Sequence, residues 1–335
     1  MLRDCQSNCA SATVFAGSGQ SLRTPGPRKR RESTARPSPA LAGTHSPADG
    51  GRDEVRGSTP IPRAPANQSH GSGCLSLSFK FKLTIAYDGT SYQGWQTQKI
   101  GTGVQEKIEA ALARLFPSHP RVHGSSRTDT GVHALGLVAH FEALRAECKT
   151  TPRRLLLAIN AWLPEDIRVL AVQRAAPGFH ARFDAAGKQY RYLVWNHPVH
   201  NPLLRHHAWH VRRKLDFPAM KAAARHLVGR FDFRSFRANP DYDTDSTVRT
   251  LTRCDVLRRG SLLTFVIEGD GFLYKMCRGI VGTLVQVGEG KFQSDAIPGV
   301  LASRDRRVAG ASAPAQGLVL WKVFYRRSQK RGVRS

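Results

Sequence analysis

The chain has 335 residues, and its 51 Lys and Arg against 25 Asp and Glu give a formal net charge of +26. Hydrophobic residues make up 40% of it, which excludes a wholly disordered chain. No apolar run reaches the roughly 20 residues that a membrane-spanning helix needs. The charge favours a polyanionic partner, either nucleic acid or an anionic membrane surface.

The first 77 residues differ from the rest, because 28 of them are Pro, Gly or Ser and no hydrophobic period persists. This composition predicts a disordered basic extension over residues 1–77. A solvated tail is the simplest interpretation of its basic cluster at 28–31, and RNA contact is the alternative. A transit peptide and a mis-assigned translation start also stay open.

Regular structure is predicted from Phe79, where apolar and polar residues alternate as far as Tyr87, typical of a half-buried strand. Thr102 and Gln105 have the spacing of a helix capping box, and apolar residues follow at helical spacing until Pro117. The later pattern predicts further elements: strands over 189–195, 262–267 and 318–325, and helices over 217–228 and 274–287.

This order favours an α+β fold, with helices packed on a largely antiparallel sheet. We expect two similar subdomains, an N-terminal catalytic one at 78–183 and a C-terminal RNA-binding and catalytic one at 184–326, followed by a basic tail at 327–335. Gly288–Lys291 lacks the spacing and the Ser or Thr of a phosphate-binding loop, so it predicts a helix end and a turn.

The six cysteines form no C-x-x-C pair, and zinc-ligand spacing is absent. We expect reduced thiols, a cytoplasmic protein and no membrane association. Residues 2–16 contain no apolar run of the kind that a secretory signal requires.

The densest group of reactive residues is the polar segment 125–134, which predicts a loop on a scaffold. Asp129 lies two residues from Arg127, whose charge is expected to keep the carboxylate ionised and available as a nucleophile or base. The alternative is a surface turn with an ordinary Arg–Asp pair. Asp129 and His133 also suggest metal ligands, but no third ligand has a suitable spacing. The Asp-Thr-Gly at 129–131 matches aspartic proteases, which need two such loops, whereas this chain has one.

A family resemblance reaches further. Residues 127–134 read R-T-D-T-G-V-H-A and resemble the R-T-D-x-G-V-H-A signature of the TruA family of tRNA pseudouridine synthases. Further segments resemble other motifs of that family in the same order: Y-D-G-T-S-Y-Q-G-W-Q at 87–96, V-Q-E-K-I-E at 104–109, F-H-A-R-F at 179–183, Y-R-Y at 190–192, D-F-R-S-F at 232–236, F-L-Y-K-M-C-R-G-I-V-G at 272–282 and G-L-V-L at 317–320. The resemblance covers about residues 79–325. Ser126, Thr130 and Cys277 depart from the family pattern of Gly, Ala and Val.

The resemblance implies a pseudouridine synthase fold and isomerisation of uridines 38–40 in the tRNA anticodon stem-loop. It implies a homodimer, no cofactor and no metal. It assigns the covalent chemistry to Asp129 and the pairing with it to Arg278. Tyr190 is expected to pack on the target uracil, as a candidate proton acceptor, and Leu318 to contact its other side.

Further substrate-binding residues follow from the same resemblance. Arg127 is expected to occupy the space that the extruded base leaves, or to hold a phosphate. His180 and Arg182 are expected to contact the RNA; Phe179 is a contact candidate too, although it and Phe183 have core packing as the simpler interpretation. A catalytically silent RNA-binding module is the competing hypothesis. Additional basic residues suit a folded RNA: Arg205, His206, His207, Arg212, Arg213, Lys214, Arg237, Arg249, Arg253, Arg258 and Arg259.

Overall fold

A computed structural model describes residues 77–98, 101–238 and 246–326. The predicted tail at 327–335 and all but Leu77 of the predicted extension lie outside the described residues. The strands are β1 Ser78–Tyr87, β2 His123–Gly124, β3 His133–Leu144, β4 Ile167–Ala175, β5 Ala185–Asn196, β6 Trp209–Val211, β7 Gly229–Asp232, β8 Val248–Arg259, β9 Leu262–Gly269 and β10 Leu318–Tyr325. The α-helices are α1 Val104–Ala113, α2 Pro152–Trp162, α3 Phe217–Arg225, α4 Met276–Gly288 and α5 Ile297–Ser303. Within the described ranges, no helix combines the length and apolar character needed to cross a membrane.

One continuous sheet carries the helices, in the order β4-β1-β3-β10-β5-β9-β8-β7, with β2 beside β3 and β6 beside β5. All pairs are antiparallel except β3 with β10 and β5 with β6. The predicted α+β class with a largely antiparallel sheet is therefore confirmed. The predicted subdomain boundary at 183–184 falls between β4 and β5 and stays a prediction.

The last strand joins the two halves of the sheet. On one side of β10, Val319 pairs with His133 at the start of β3. On its other side, Leu320 pairs with Tyr190 of β5. The chemistry-bearing segment before β3 and the aromatic face of β5 are thereby held on the two strands that flank β10.

The predicted strand at 79–87 is confirmed by β1, whose side chains alternate between buried and partly buried from Phe81 onward. The predicted capping box is wrong. The helix N-cap is Gly103, which makes no side-chain cap. Backbone carbonyls of Gly94 and Trp95 accept the first two helical N–H groups instead, at 3.1 and 2.8 Å. The motif at 87–96 therefore caps α1 with its main chain.

Helix α4 is almost wholly buried, with Arg278 and Gln286 as its two partly exposed side chains. It begins one residue after Lys275, which has a left-handed φ of +56°. A Cβ at Gly282 would lie 1.7 Å from the carbonyl oxygen of Ala311, so glycine is required for this close approach. The predicted helix end and turn after Gly288 are confirmed.

Candidate active site

The loop between β2 and β3 carries Asp129, and the motif at 87–96 fixes its main chain. The Tyr87 hydroxyl lies 2.8 Å from the Thr128 hydroxyl. The Trp95 backbone N–H donates to the Thr128 carbonyl at 3.2 Å. A Cβ at Gly94, which has a φ of +88°, would lie 2.3 Å from that carbonyl oxygen. Two motifs that are distant in sequence thus form one packed unit.

Asp129 forms an ion pair with Arg278 from α4, at 3.4 Å between Oδ2 and Nη1. Their side chains are 21% and 15% exposed, so the pair is largely shielded from water. Arg278 is held in place because its Nε donates to the Ala313 carbonyl at 2.7 Å and its own carbonyl accepts from Ala313 N–H at 3.0 Å. The pairing that the resemblance implied is present.

Burial raises the pKa of the Asp129 carboxyl above its ordinary value of 3.8, while the charges of Arg278 and Lys275 oppose that rise. The expected role of Arg127 in keeping this carboxylate ionised is wrong. Arg127 is exposed, and the cations that act on Asp129 come from the α4 segment, 149 residues along the chain in the case of Arg278. A neighbour in sequence is not the neighbour in space.

Tyr190 and Leu318 are both buried, at 8% and 6% exposure, on the adjacent strands β5 and β10. The Tyr190 hydroxyl donates to Ser126 Oγ at 3.3 Å, and its ring meets Phe272 edge to face at 5.0 Å between centroids. Burial raises the pKa of Tyr190, so the phenol is neutral at physiological pH. Asp129, Arg278, Tyr190 and Leu318 are called the aspartate end below.

A cavity of about 620 Å³ opens at this junction. Among the described residues that line it, six are Lys or Arg and one is acidic, Asp129. The wall includes most of the predicted site residues: Arg127, Asp129, His180, Arg182, Tyr190 and Leu318. A concave, positively charged surface around one partly desolvated carboxylate is suited to bind an anionic substrate and to carry out nucleophilic chemistry on it.

The predicted segment 179–183 divides between core and cavity. Phe179 does not line the cavity; it is partly buried, and its ring lies 5.3 Å from that of Tyr325. The expected core role of Phe183 is wrong, because its side chain is 75% exposed. It stacks on His180 at 4.2 Å, and both rings face the cavity.

Sequence reasoning missed Lys188 and Phe272 as cavity residues. Lys188 lies two positions before Tyr190 on β5, and alternate residues of a strand share a face. That periodicity was the available signal. Phe272 lies in the loop after β9, where no periodicity assigns it to a face.

The residues with the strongest metal-ligand arrangement lie outside this cavity wall. Donor atoms of Asp88, His133 and His207 all lie within 4.8 Å of one another. His133 Nδ1, however, accepts from the Gly89 backbone N–H at 3.0 Å, and Nε2 lies 3.1 Å from the Gln316 carbonyl. With both ring nitrogens engaged, a hydrogen-bonded network accounts for this group better than a metal centre.

A family model described as tRNA pseudouridine synthase matches residues 83–184 and 223–326. Over 244 residues the chain is 46% identical to the tRNA pseudouridine synthase A of Acetivibrio thermocellus, covering 73% of this chain and 98% of that relative. It is 44% identical over 247 residues to the enzyme of the same name from Geotalea uraniireducens, covering 73% and 99%. A solved Cbf5-Nop10-Gar1 complex is similar over 61% of this chain and 45% of that one, with 14% identity and a TM-score of 0.28, too low to support an argument.

Proposed function

The chain belongs to the family of tRNA pseudouridine synthases, and from this premise we propose that it isomerises uridines 38–40 of the tRNA anticodon stem-loop with Asp129 as the nucleophile. The observation that carries this assignment is the shielded Asp129–Arg278 pair at 3.4 Å, whose aspartate lines a basic cavity. The family supports the reaction type, and this geometry supports the choice of nucleophile.

The proposed reaction balances without a co-reactant. The bond between N1 of uracil and C1′ of ribose breaks, the base turns, and a bond forms between C5 and C1′. The proton leaves C5 and a proton is bound at N1, so no electrons are gained or lost. Asp129 forms a covalent adduct and is expelled from it, which a carboxylate can do because it is both a nucleophile and a leaving group.

The protonation of Asp129 decides whether it can attack. Burial raises its pKa, and the charges of Arg278 and Lys275 limit that rise. We propose that Arg278 keeps the carboxylate ionised and oriented, since the arginine is itself anchored to Ala313 from both its side chain and its main chain. The assignment is the same whether the adduct forms on the ribose or on the base.

The extruded uracil needs surfaces that replace its lost stacking, which costs a few kcal/mol. Tyr190 and Leu318 line the cavity on adjacent strands, and Phe272 lines it beside them. We assign the stacking role to the Tyr190 ring. Burial raises the pKa of its phenol, so the hydroxyl keeps its own proton, which opposes the predicted role as proton acceptor.

The test is to incubate the purified chain with unmodified tRNA transcripts and to map pseudouridine by chemical labelling and primer extension. We expect stops at positions 38–40. Stops confined to other positions would overturn the assigned uridines and leave the chemistry standing. Tight tRNA binding with no stops in any transcript would favour the competing hypothesis of a silent RNA-binding module.

The homodimer and the cytoplasmic location stay predictions.

A further inference from the structure

One group of basic side chains on the cavity wall has no role in the chemistry at Asp129. Arg182 comes from the loop before β5, Lys188 from β5 itself and Arg249 from β8. We call these three residues the cationic cluster. None of them takes part in an ion pair among the described residues, although ten such pairs are present.

Lys188 is the centre of this cluster. It is partly buried on β5, between Gly269 of β9 and Val323 of β10 in the strand register. Burial, together with the charges of Arg182 and Arg249, lowers its pKa to about 8. A lysine held among like charges without a carboxylate destabilises the free protein, and an anion bound there removes that cost.

Arg249 also lines the cavity, and its own contacts hold its side chain in place. Its Nη1 donates to the carbonyls of Ser246 and Val248 at 2.9 and 2.6 Å. A Cβ at Gly271 would lie 3.3 Å from its Cδ and Nε, so the side chain packs closely over a glycine. The guanidinium is thereby preorganised before any ligand arrives.

The cluster is close to the base-stacking residues. Lys188 and Tyr190 are two residues apart on one strand, about 7 Å, and both face the cavity. A single nucleotide spans such a distance, because its base and its phosphate lie on opposite sides of the ribose.

From this placement, and resting on the proposed function, we propose that Lys188, with Arg182 and Arg249, binds a backbone phosphate of the RNA strand that delivers the target uridine to Asp129. Lys188 is thus a substrate-positioning residue. A bound phosphate raises the pKa of the Lys188 amine, because the opposite charge favours the protonated form.

The experiment compares Lys188→Met, Lys188→Arg and a matched control, Lys221→Met, whose exposed lysine lies on α3 outside the cavity wall. Dissociation constants for a tRNA transcript are measured at several KCl concentrations, together with KM and kcat. We expect Lys188→Met to raise Kd and KM about tenfold, to leave kcat within about twofold, and to make the salt slope shallower by about one. Lys188→Arg keeps the positive charge and is expected to keep Kd near the wild-type value, and Lys221→Met is expected to behave as wild type. A Lys188→Met variant with wild-type Kd and salt slope overturns the inference.

A measurement on the wild-type chain covers the case in which Lys188→Met does not fold. Reductive ¹³C-methylation makes the Lys188 amine visible by NMR, with Lys188→Arg identifying its signal. We expect titration near pH 8 in the free chain and at higher pH with an anticodon stem-loop RNA. A full shift with inorganic phosphate and none with RNA would assign the cluster to a free anion and overturn the inference. Absent pseudouridine with an intact RNA-induced shift would instead refute the proposed function.

Discussion

The aspartate end and the cationic cluster lie at the same cavity but differ in how their charges are balanced. At the aspartate end, a carboxylate and a guanidinium neutralise each other at 3.4 Å within a largely buried setting. In the cationic cluster, three positive side chains face the cavity without a described carboxylate partner. The first arrangement is complete without substrate, and the second is completed by an anion. We therefore expect the first to govern turnover and the second to govern binding.

The largest effect is expected from Asp129→Asn, which keeps the shape of the aspartate end but removes the nucleophile. Turnover should fall by at least about 10⁴-fold, while tRNA binding stays near the wild-type value. Tritium release from tRNA labelled at C5 of uridine measures the first, and filter binding the second. Pseudouridine formation by this variant at a wild-type rate would contradict the assigned mechanism.

Arg278→Met comes next, because it removes the cation that most opposes the raised pKa of Asp129. The carboxylate must be ionised to attack, so activity is present above its pKa and is lost as pH falls through it. Without Arg278 that pKa rises further, and the acidic limb of the kcat profile should move to higher pH. At pH 7, kcat should fall by about 10²-fold. An unmoved acidic limb would show that Arg278 does not act on Asp129, and Lys221→Met is the matched control.

Two variants of Tyr190 distinguish a stacking role of its ring from a proton-transfer role of its hydroxyl. Tyr190→Phe keeps the ring and loses the hydroxyl that contacts Ser126. Because the phenol is a poor base, kcat should fall by about tenfold or less, compared with the 10²-fold or more typical of a lost general base. Tyr190→Leu, which loses the ring, should be the more damaged variant. A loss of kcat of about 10²-fold or more in Tyr190→Phe would instead support the hydroxyl as the proton acceptor.

The smallest effect is expected from deleting residues 1–77. They carry 10 Lys and Arg against 5 Asp and Glu, a net charge of +5, which leaves +21 on the remaining 258 residues. Since every described cationic side chain on the cavity wall lies outside the deleted segment, Kd and kcat should stay within about twofold of the full chain. A collapse of turnover in a folded truncated chain would show that the extension takes part in the reaction.

Sequence alone identified the elements with strong periodicity. β1, β9, β10 and α4 were found near their observed bounds, because alternating or helical apolar patterns report burial directly. Helix α2 and strand β4 were missed, since several of their large apolar residues are exposed, among them Leu157, Trp162 and Leu170, which blurs the pattern.

The site was only partly predicted, because local patterns do not report contacts between distant segments. The family motifs named Asp129 and Arg278 and implied their pairing, and the fold shows the contact across 149 positions of the chain. Local spacing instead chose Arg127 as the partner of Asp129, because sequence distance was the only distance available. Lys188 was missed because its role depends on Arg182 and Arg249, which reach it from other elements.

The central claim is that the aspartate end governs turnover and the cationic cluster governs binding. Its most direct test is a single-turnover experiment on Asp129→Asn and Lys188→Met, with enzyme in excess over C5-tritiated tRNA. Varying the enzyme concentration gives both the maximal rate of tritium release and the apparent Kd. We predict that Asp129→Asn loses the rate and keeps its affinity for tRNA by filter binding, whereas Lys188→Met keeps the maximal rate and loses affinity. Two variants that lose the same parameter would contradict the account.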